Sequence, residues 1–171
     1  MRNPLVTLVN ENGKIIGTAD RESAHSGKGK LHRAFSIFIF KKNDVLLQKR
    51  APHKLFGSLW TNTCCSHPRP NETAIDAALR RLKEEFGFDC PLTECGSFIY
   101  RAHDKKGTEY EYDIVFVGEI SDRTPVTPDT NEIAEWKWMN IEELKDDLKN
   151  NPEKYSPWLP QALKYASCDH S

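Results

Sequence analysis

Short apolar runs separated by polar, turn-forming clusters dominate the chain. Val6 to Val9 and Ile15 to Thr18 flank Asn10-Glu11-Asn12-Gly13. The Asn-Gly pair tolerates positive φ, which predicts an opening hairpin. Phe35 to Phe40 and Val45 to Gln48 are β-rich runs around Lys41-Lys42-Asn43-Asp44 and predict a second hairpin with a buried first strand. Phe98 to Ala102 and Tyr110 to Val117 repeat the arrangement across Asp104-Lys105-Lys106-Gly107, and Trp136 to Met139 reads as a later strand. Helical spacing is clearest from Glu72 to Phe86, where Ile75, Ala78, Leu79, Leu82 and Phe86 share a stripe, with Asn71 as the expected N-cap and Gly87 as the stop. Asn140 caps a helix over Ile141 to Lys149, and Trp158 to Ala166 predicts a last one. Residues 21–33 hold two glycines, Lys28, Lys30, Arg33, His25 and His32 without apolar periodicity, which marks a loop able to carry chemistry. Leu55 to Leu59 is a second, Gly-containing loop. Strands outnumber helices in mixed order, so the fold class is α+β, built as a sandwich.

Composition narrows this picture. A chain of 171 residues fits one domain, 1–171 with a folded core over about 5–165, and buries roughly two-thirds of its unfolded surface. No apolar run approaches the roughly 18 residues that cross a bilayer, so no membrane partner is expected. The start lacks a basic segment followed by an apolar stretch, which makes the cytoplasm the expected location. A net charge of -1 gives no global attraction to nucleic acid, while a local basic pocket can still grip a phosphorylated small molecule. Five cysteines (Cys64, Cys65, Cys90, Cys95 and Cys168) without Cys-x-x-Cys spacing argue against a disulfide framework or a zinc ribbon and predict mostly buried thiols.

Candidate chemistry lies in three places. In Glu109-Tyr110-Glu111-Tyr112-Asp113 the alternation puts the acids on one strand face and the tyrosines on the other. Carboxylates at i and i+2 lie roughly 7 Å apart at Cα, close enough to share a cation, although the same row also fits a solvated face. His25, His32 and His67 together with Glu109 and Glu111 make a nitrogen and oxygen set suited to zinc, manganese or iron over magnesium, provided that they converge. Arg81 and Glu85, four apart on the predicted helix, either pair with each other or meet a metal-bound diphosphate.

The helix Glu72 to Gly87 resembles the Nudix box, a metal-diphosphate motif, and a Nudix-like α/β/α sandwich with mixed sheet and additional N-terminal strands is the fold it implies. Two departures matter. Ser66 stands where the box has glycine, and Arg81 replaces the first glutamate of the Arg-Glu-x-x-Glu-Glu run, removing a carboxylate that hydrolases use. The degenerate box, Thr61-Asn62-Thr63-Cys64-Cys65-Ser66-His67-Pro68, Glu109-Tyr110-Glu111, Ala24-His25 through Leu31-His32, and Ser156-Pro157-Trp158 together resemble the type I isopentenyl-diphosphate isomerases, in order from about residue 5 to residue 165. The flavin-dependent type II enzymes share none of this, so no flavin is expected.

That resemblance implies interconversion of isopentenyl and dimethylallyl diphosphate by a monomer or weak homodimer. It implies His25, His32, His67, Glu109 and Glu111 as ligands of one tightly bound divalent metal (Mn2+ or Zn2+), and Glu85 as ligand of a Mg2+ carried by the diphosphate. Cys65, Glu111 and Tyr100 match the catalytic residues. Arg50, Lys54 and Arg81 match diphosphate-binding cations, Arg21 stands where some members have lysine, and Trp158 matches the aromatic wall beside a carbocation. Moving a proton between two carbons through a tertiary carbocation needs an acid and a base, with Cys65 expected as thiolate in the second role. Trp60 and Trp158 are expected to exclude water, and Trp136 and Trp138 to pack in the core. The rival readings are a Nudix pyrophosphohydrolase, which needs the missing carboxylate and has no use for Cys65, and a non-enzymatic binding module.

Overall fold

The computed structural model describes residues 4–167, so Cys168 lies outside the described residues. In chain order the elements are β1 (Leu5–Val9), β2 (Ile15–Asp20), α1 (Arg21–Ala24), β3 (His32–Lys41), β4 (Asp44–Arg50), β5 (Trp60–Thr61) and β6 (Cys64–Ser66). They continue with α2 (Ala74–Phe86), β7 (Leu92–His103), β8 (Thr108–Glu119), β9 (Ile133–Asn140), α3 (Ile141–Asn150), a 3-10 turn over Pro152–Lys154, and α4 (Leu159–Ala166).

Among the described residues nine strands join one mixed sheet organised on β3. Along one edge β3 runs parallel to β8, from His32 opposite Glu111 to Phe40 opposite Glu119. Its other edge is shared in succession by β1, β6 and β4, all antiparallel. Because β3 is covered on both faces, its alternate residues enter two cores. Phe35, Ile37 and Ile39 pack with Ala77, Ala78, Leu82 and Phe86 of α2. Phe38 and Phe40 pack with Leu144 of α3 and Leu159, Ala162 and Leu163 of α4. The result is the expected α/β/α sandwich, and each fully buried Leu or Phe contributes about 1.5–3 kcal/mol.

Local chemistry sets the element boundaries, with several departures from the sequence reading. The cap of α2 is Thr73, whose hydroxyl accepts from Asp76 N at 3.2 Å, and not Asn71. Asn71 instead adopts φ +68° just upstream, in the left-handed region. In the turn of the first hairpin, Asn10 to Gly13, only Gly13 takes positive φ (+79°), and Asn10 Oδ1 accepts from the backbone nitrogens of Asn12 and Lys14 and closes the turn itself. The segment 21–33 is only partly a loop, since its ends are α1 and the start of β3. Trp136 is 39% exposed and is no core residue, whereas Trp138 is half-buried against the α2-side core, as expected, with the Lys41 ammonium over its ring. Cys64, Cys65 and Cys90 are free thiols, whereas Cys95 is disulfide-bonded, contrary to the thiol reading for that residue.

Candidate active site

Strand register positions three expected site residues. His32 on β3 faces Glu111 on β8, and Glu111 faces Tyr100 on β7. Directly opposed residues share a sheet face, so the three side chains form a row across three strands. The Tyr100 hydroxyl donates to Glu111 Oε1. Burial, then the neighbouring acids led by Glu111, pushes the Tyr100 phenol well above its ordinary value, so it keeps the proton it donates.

His25 enters from the end of α1, pinned to the β7–β8 hairpin by the bond from Thr108 N to His25 O at 2.8 Å. Gly107 is required at that contact, since a Cβ there would lie 2.6 Å from His25 O. His67 follows directly on β6. Ligand atoms of His25, His32, His67, Glu109 and Glu111 all lie within 4.8 Å of one another. His67 Nε2 is 2.7 Å from Glu111 Oε2, while His25–Glu109 and His32–Glu111 stand 3.3 Å apart.

The donors are prepared for a cation. His25 Nδ1 lies 2.6 Å from Arg21 O and His32 Nδ1 lies 2.7 Å from Lys30 O. A carbonyl only accepts, so both Nδ1 atoms carry hydrogen and both Nε2 atoms point into the cluster. Burial holds His67 down to about 3, which keeps it neutral. Burial and the charge of Glu111 raise Glu109. Burial acts the same way on Glu111, but the adjacent His32 and His67 imidazoles outweigh it and hold the carboxyl well below its usual range. His32 Nε2 and Glu109 Oε2 are buried without a hydrogen-bond partner. Such orphaned groups are costly unless a further partner joins them, and a divalent metal ion fits this nitrogen and oxygen set.

Cys64 and Cys65 point to opposite faces of β6. Cys64 opposes Ile37, is fully buried in the α2-side core, and donates to Glu85 Oε2 at 2.8 Å. Cys65 opposes Ser36 on the site face and donates to Asn62 Oδ1 at 3.1 Å. The same Asn62 oxygen accepts from Trp158 Nε1 at 3.2 Å and from Thr61 Oγ1 at 2.8 Å. Its Nδ2 donates to Ile37 O and Cys64 O, which fixes the amide with its oxygen toward Cys65. Burial pushes the Cys65 thiol up to about 12, so sulfur carries its proton at neutral pH and the expected thiolate is not the resting form.

A cleft of about 210 Å³ brings Cys65, His67, Glu109 and Glu111 together with Arg21, Arg50, Lys54, Arg81 and Trp158. Arg50 donates from Nε to Leu55 O at 2.9 Å and lies 5.2 Å from the Trp158 ring centroid. Arg21 is exposed at the rim. Trp60 lies outside the lining and packs beneath the Lys137 ammonium. Glu85 lies outside the residues that line the cleft. It is 1% exposed, lies within the buried face of α2, and accepts from Cys64, Gln48 and Arg81. Arg69, Arg80 and Glu132 also line the cleft and were not singled out in the sequence. Asn62 stood inside the Thr61-Asn62-Thr63 run, so its neighbours were the available signal, whereas nothing local distinguishes Glu132.

Fold and site together define a NUDIX-domain protein. Residues 30–159 match the NUDIX domain family. The fold is similar to that of DR0079 from Deinococcus radiodurans, with a TM-score of 0.73 over 96% of this chain and 99% of that one at 19% identity. It is also similar to the MutT NUDIX hydrolase from Burkholderia pseudomallei, with a TM-score of 0.63 over 80% and 98% at 15% identity. At those identities the likeness is one of fold. Among curated relatives, Isopentenyl-diphosphate Delta-isomerase 2 of Aromatoleum aromaticum is 47% identical over 95% of this chain and 87% of its own. Isopentenyl-diphosphate Delta-isomerase of Nocardia farcinica is 44% identical over 94% and 93%. The chain belongs to the isopentenyl-diphosphate Delta-isomerase family.

Proposed function

We propose that this chain interconverts isopentenyl diphosphate and dimethylallyl diphosphate, with the hydrocarbon end held between Cys65 and Glu111 and the diphosphate among Arg50, Lys54 and Arg81. The observation that carries the reading is the placing of a proton-bearing thiol and a Tyr100-bonded carboxylate in one cleft whose rim is cationic. The reaction adds a proton to the terminal alkene carbon and removes one from the carbon two bonds away, through a tertiary carbocation. In the free protein the proton sits on Cys65 and the charge on Glu111, so the thiol gives and the carboxylate takes in one direction. The reverse reaction exchanges those roles. Asn62 aims the thiol and the Trp158 indole from one oxygen, and the Trp158 ring supplies a π face and excludes water from the cation.

The cluster of three histidines with Glu109 and Glu111 holds one Mn2+ or Zn2+, because imidazole donors favour such ions over magnesium. When bound, that ion withdraws charge from Glu111 and strengthens it as an acid in the direction where it donates. Glu85 is the residue we assign to the Mg2+ that arrives with diphosphate. In the free protein its oxygens are taken by Cys64, Gln48 and Arg81, so Arg81 must turn from Glu85 to the phosphate first.

Incubation with isopentenyl diphosphate and magnesium tests the reading. Dimethylallyl diphosphate is the expected product. Release of free phosphate in its place would establish the hydrolase, and an unchanged substrate would establish a binding module.

A further inference from the structure

Glu132 stands apart from the other acids of the cleft. Among the described residues that line it, Glu109 and Glu111 belong to the histidine cluster, and Glu132 is the remaining carboxylate. It sits among the cations assigned to diphosphate. Its Oε2 pairs with Lys54 Nζ, and its Oε1 is 3.5 Å from Arg81 Nη2. Burial would raise its carboxyl, but the Lys54 bond and charge outweigh that and hold it low, so Glu132 is ionised. Its backbone is anchored on both sides, with Ala51 N donating to Glu132 O at 3.2 Å and Glu132 N donating to Asp129 O at 3.1 Å. The carboxylate is therefore built into this position.

An anion fixed between two cations affects an incoming anion in two ways. It neutralises charge that the ligand needs, and it repels the ligand's own charge at short range. Both penalties grow with ligand charge. A metal-free diphosphate carries two more negative charges than its magnesium complex, so the same carboxylate disfavours the free form far more. We propose that Glu132 is a specificity-determining residue that makes the cleft select magnesium-complexed diphosphate over the metal-free anion. The inference rests on the diphosphate reading of the cleft and adds the form in which the ligand is taken.

The test is calorimetric titration of inorganic pyrophosphate into the purified full chain, with and without magnesium. Four proteins are compared: wild type, Glu132→Gln, Glu132→Asp and Glu135→Gln. Glu135 pairs with Lys49 outside the cleft and controls for a general loss of charge. Glu132→Gln should tighten metal-free binding by about tenfold or more and change magnesium-supported binding by less than about threefold, where tenfold corresponds to about 1.4 kcal/mol. Glu132→Asp and Glu135→Gln should keep the wild-type ratio of the two affinities. Thermal melts establish that each variant is folded. The inference is overturned if Glu132→Gln leaves that ratio unchanged, if it weakens both forms together, or if Glu135→Gln shifts the ratio equally. Wild-type protein that binds no pyrophosphate even with magnesium would instead bring down the diphosphate reading, and the inference with it.

Discussion

Two adjacent cysteines meet opposite environments because a strand turns successive side chains to opposite faces. Cys65 faces Asn62 and the cleft, and Cys64 faces the α2 core. Cys65→Ala should lower turnover by about 10³-fold, within the usual range for losing a positioned proton donor. Cys64→Ala should stay within about threefold of wild-type turnover yet lose ~1–2 kcal/mol of stability, since it leaves a small void and takes a donor from Glu85. Steady-state rates and urea midpoints measure the two effects, and full activity in both variants would remove the thiol from the mechanism. His67 supplies a pH signature. Its folded value, near 3, lies below the ordinary 6.5, so the unfolded chain binds the extra proton between those values. Stability contributed by neutral His67 is thus complete above pH 6.5 and is lost as pH falls toward 3. Urea midpoints of chelated protein should decline through that window and level off above it.

At the scale of elements, α2 shows what a periodic pattern does and does not specify. Ala78, Leu82 and Phe86 are buried as their spacing requires, whereas Leu79 is only half-buried and the charged Glu85 is fully enclosed. The stripe has turned so that Glu85 meets Cys64 and Gln48 from β6 and β4, and its charge is compensated by Arg81 one turn earlier. A pattern of apolar residues cannot report that Glu85 is enclosed, because Cys64 and Gln48 reach it from strands outside α2. The cap follows the same rule: Asn71 and Thr73 are both good capping residues, and only the backbone decides between them. Thr73→Ala should cost ~1 kcal/mol. Asn71→Gly should be neutral or slightly stabilising, since glycine accepts φ +68° without strain. Thermal midpoints of the two variants check this, and equal losses would place part of the cap on Asn71.

For the whole molecule the metal cluster is the feature that ties distant segments together. His25, His32 and His67 come from the end of α1, the start of β3 and the residue after β6, and the two acids come from β8. Purified protein should retain about one tightly bound transition metal per chain. His67→Asn and Glu109→Gln should each reduce that content, as read by elemental analysis. Metal removal should lower the melting temperature without unfolding the chain, because the two cores on either face of β3 are independent of the cluster. Active protein that is metal-free after exhaustive chelation would require another source of activation for Glu111.

What the sequence determined by itself was whatever depends on near neighbours in the chain. The alternation from Glu109 to Asp113 placed three acids on one face, and all three are buried on the site face of β8. The hairpins and the long helix followed from turn residues and period, and the quoted motifs pointed to the family. Only the tertiary structure decided which separate segments meet. Register set His32, Glu111 and Tyr100 in one row, packing enclosed Glu85, and long-range contacts brought Trp158 onto Asn62 and Glu132 between Lys54 and Arg81. Those contacts join residues far apart in the chain, where neither propensity nor spacing carries information about the partner. The protonation of Cys65 likewise depends on burial, which exists only after the chain has closed around it.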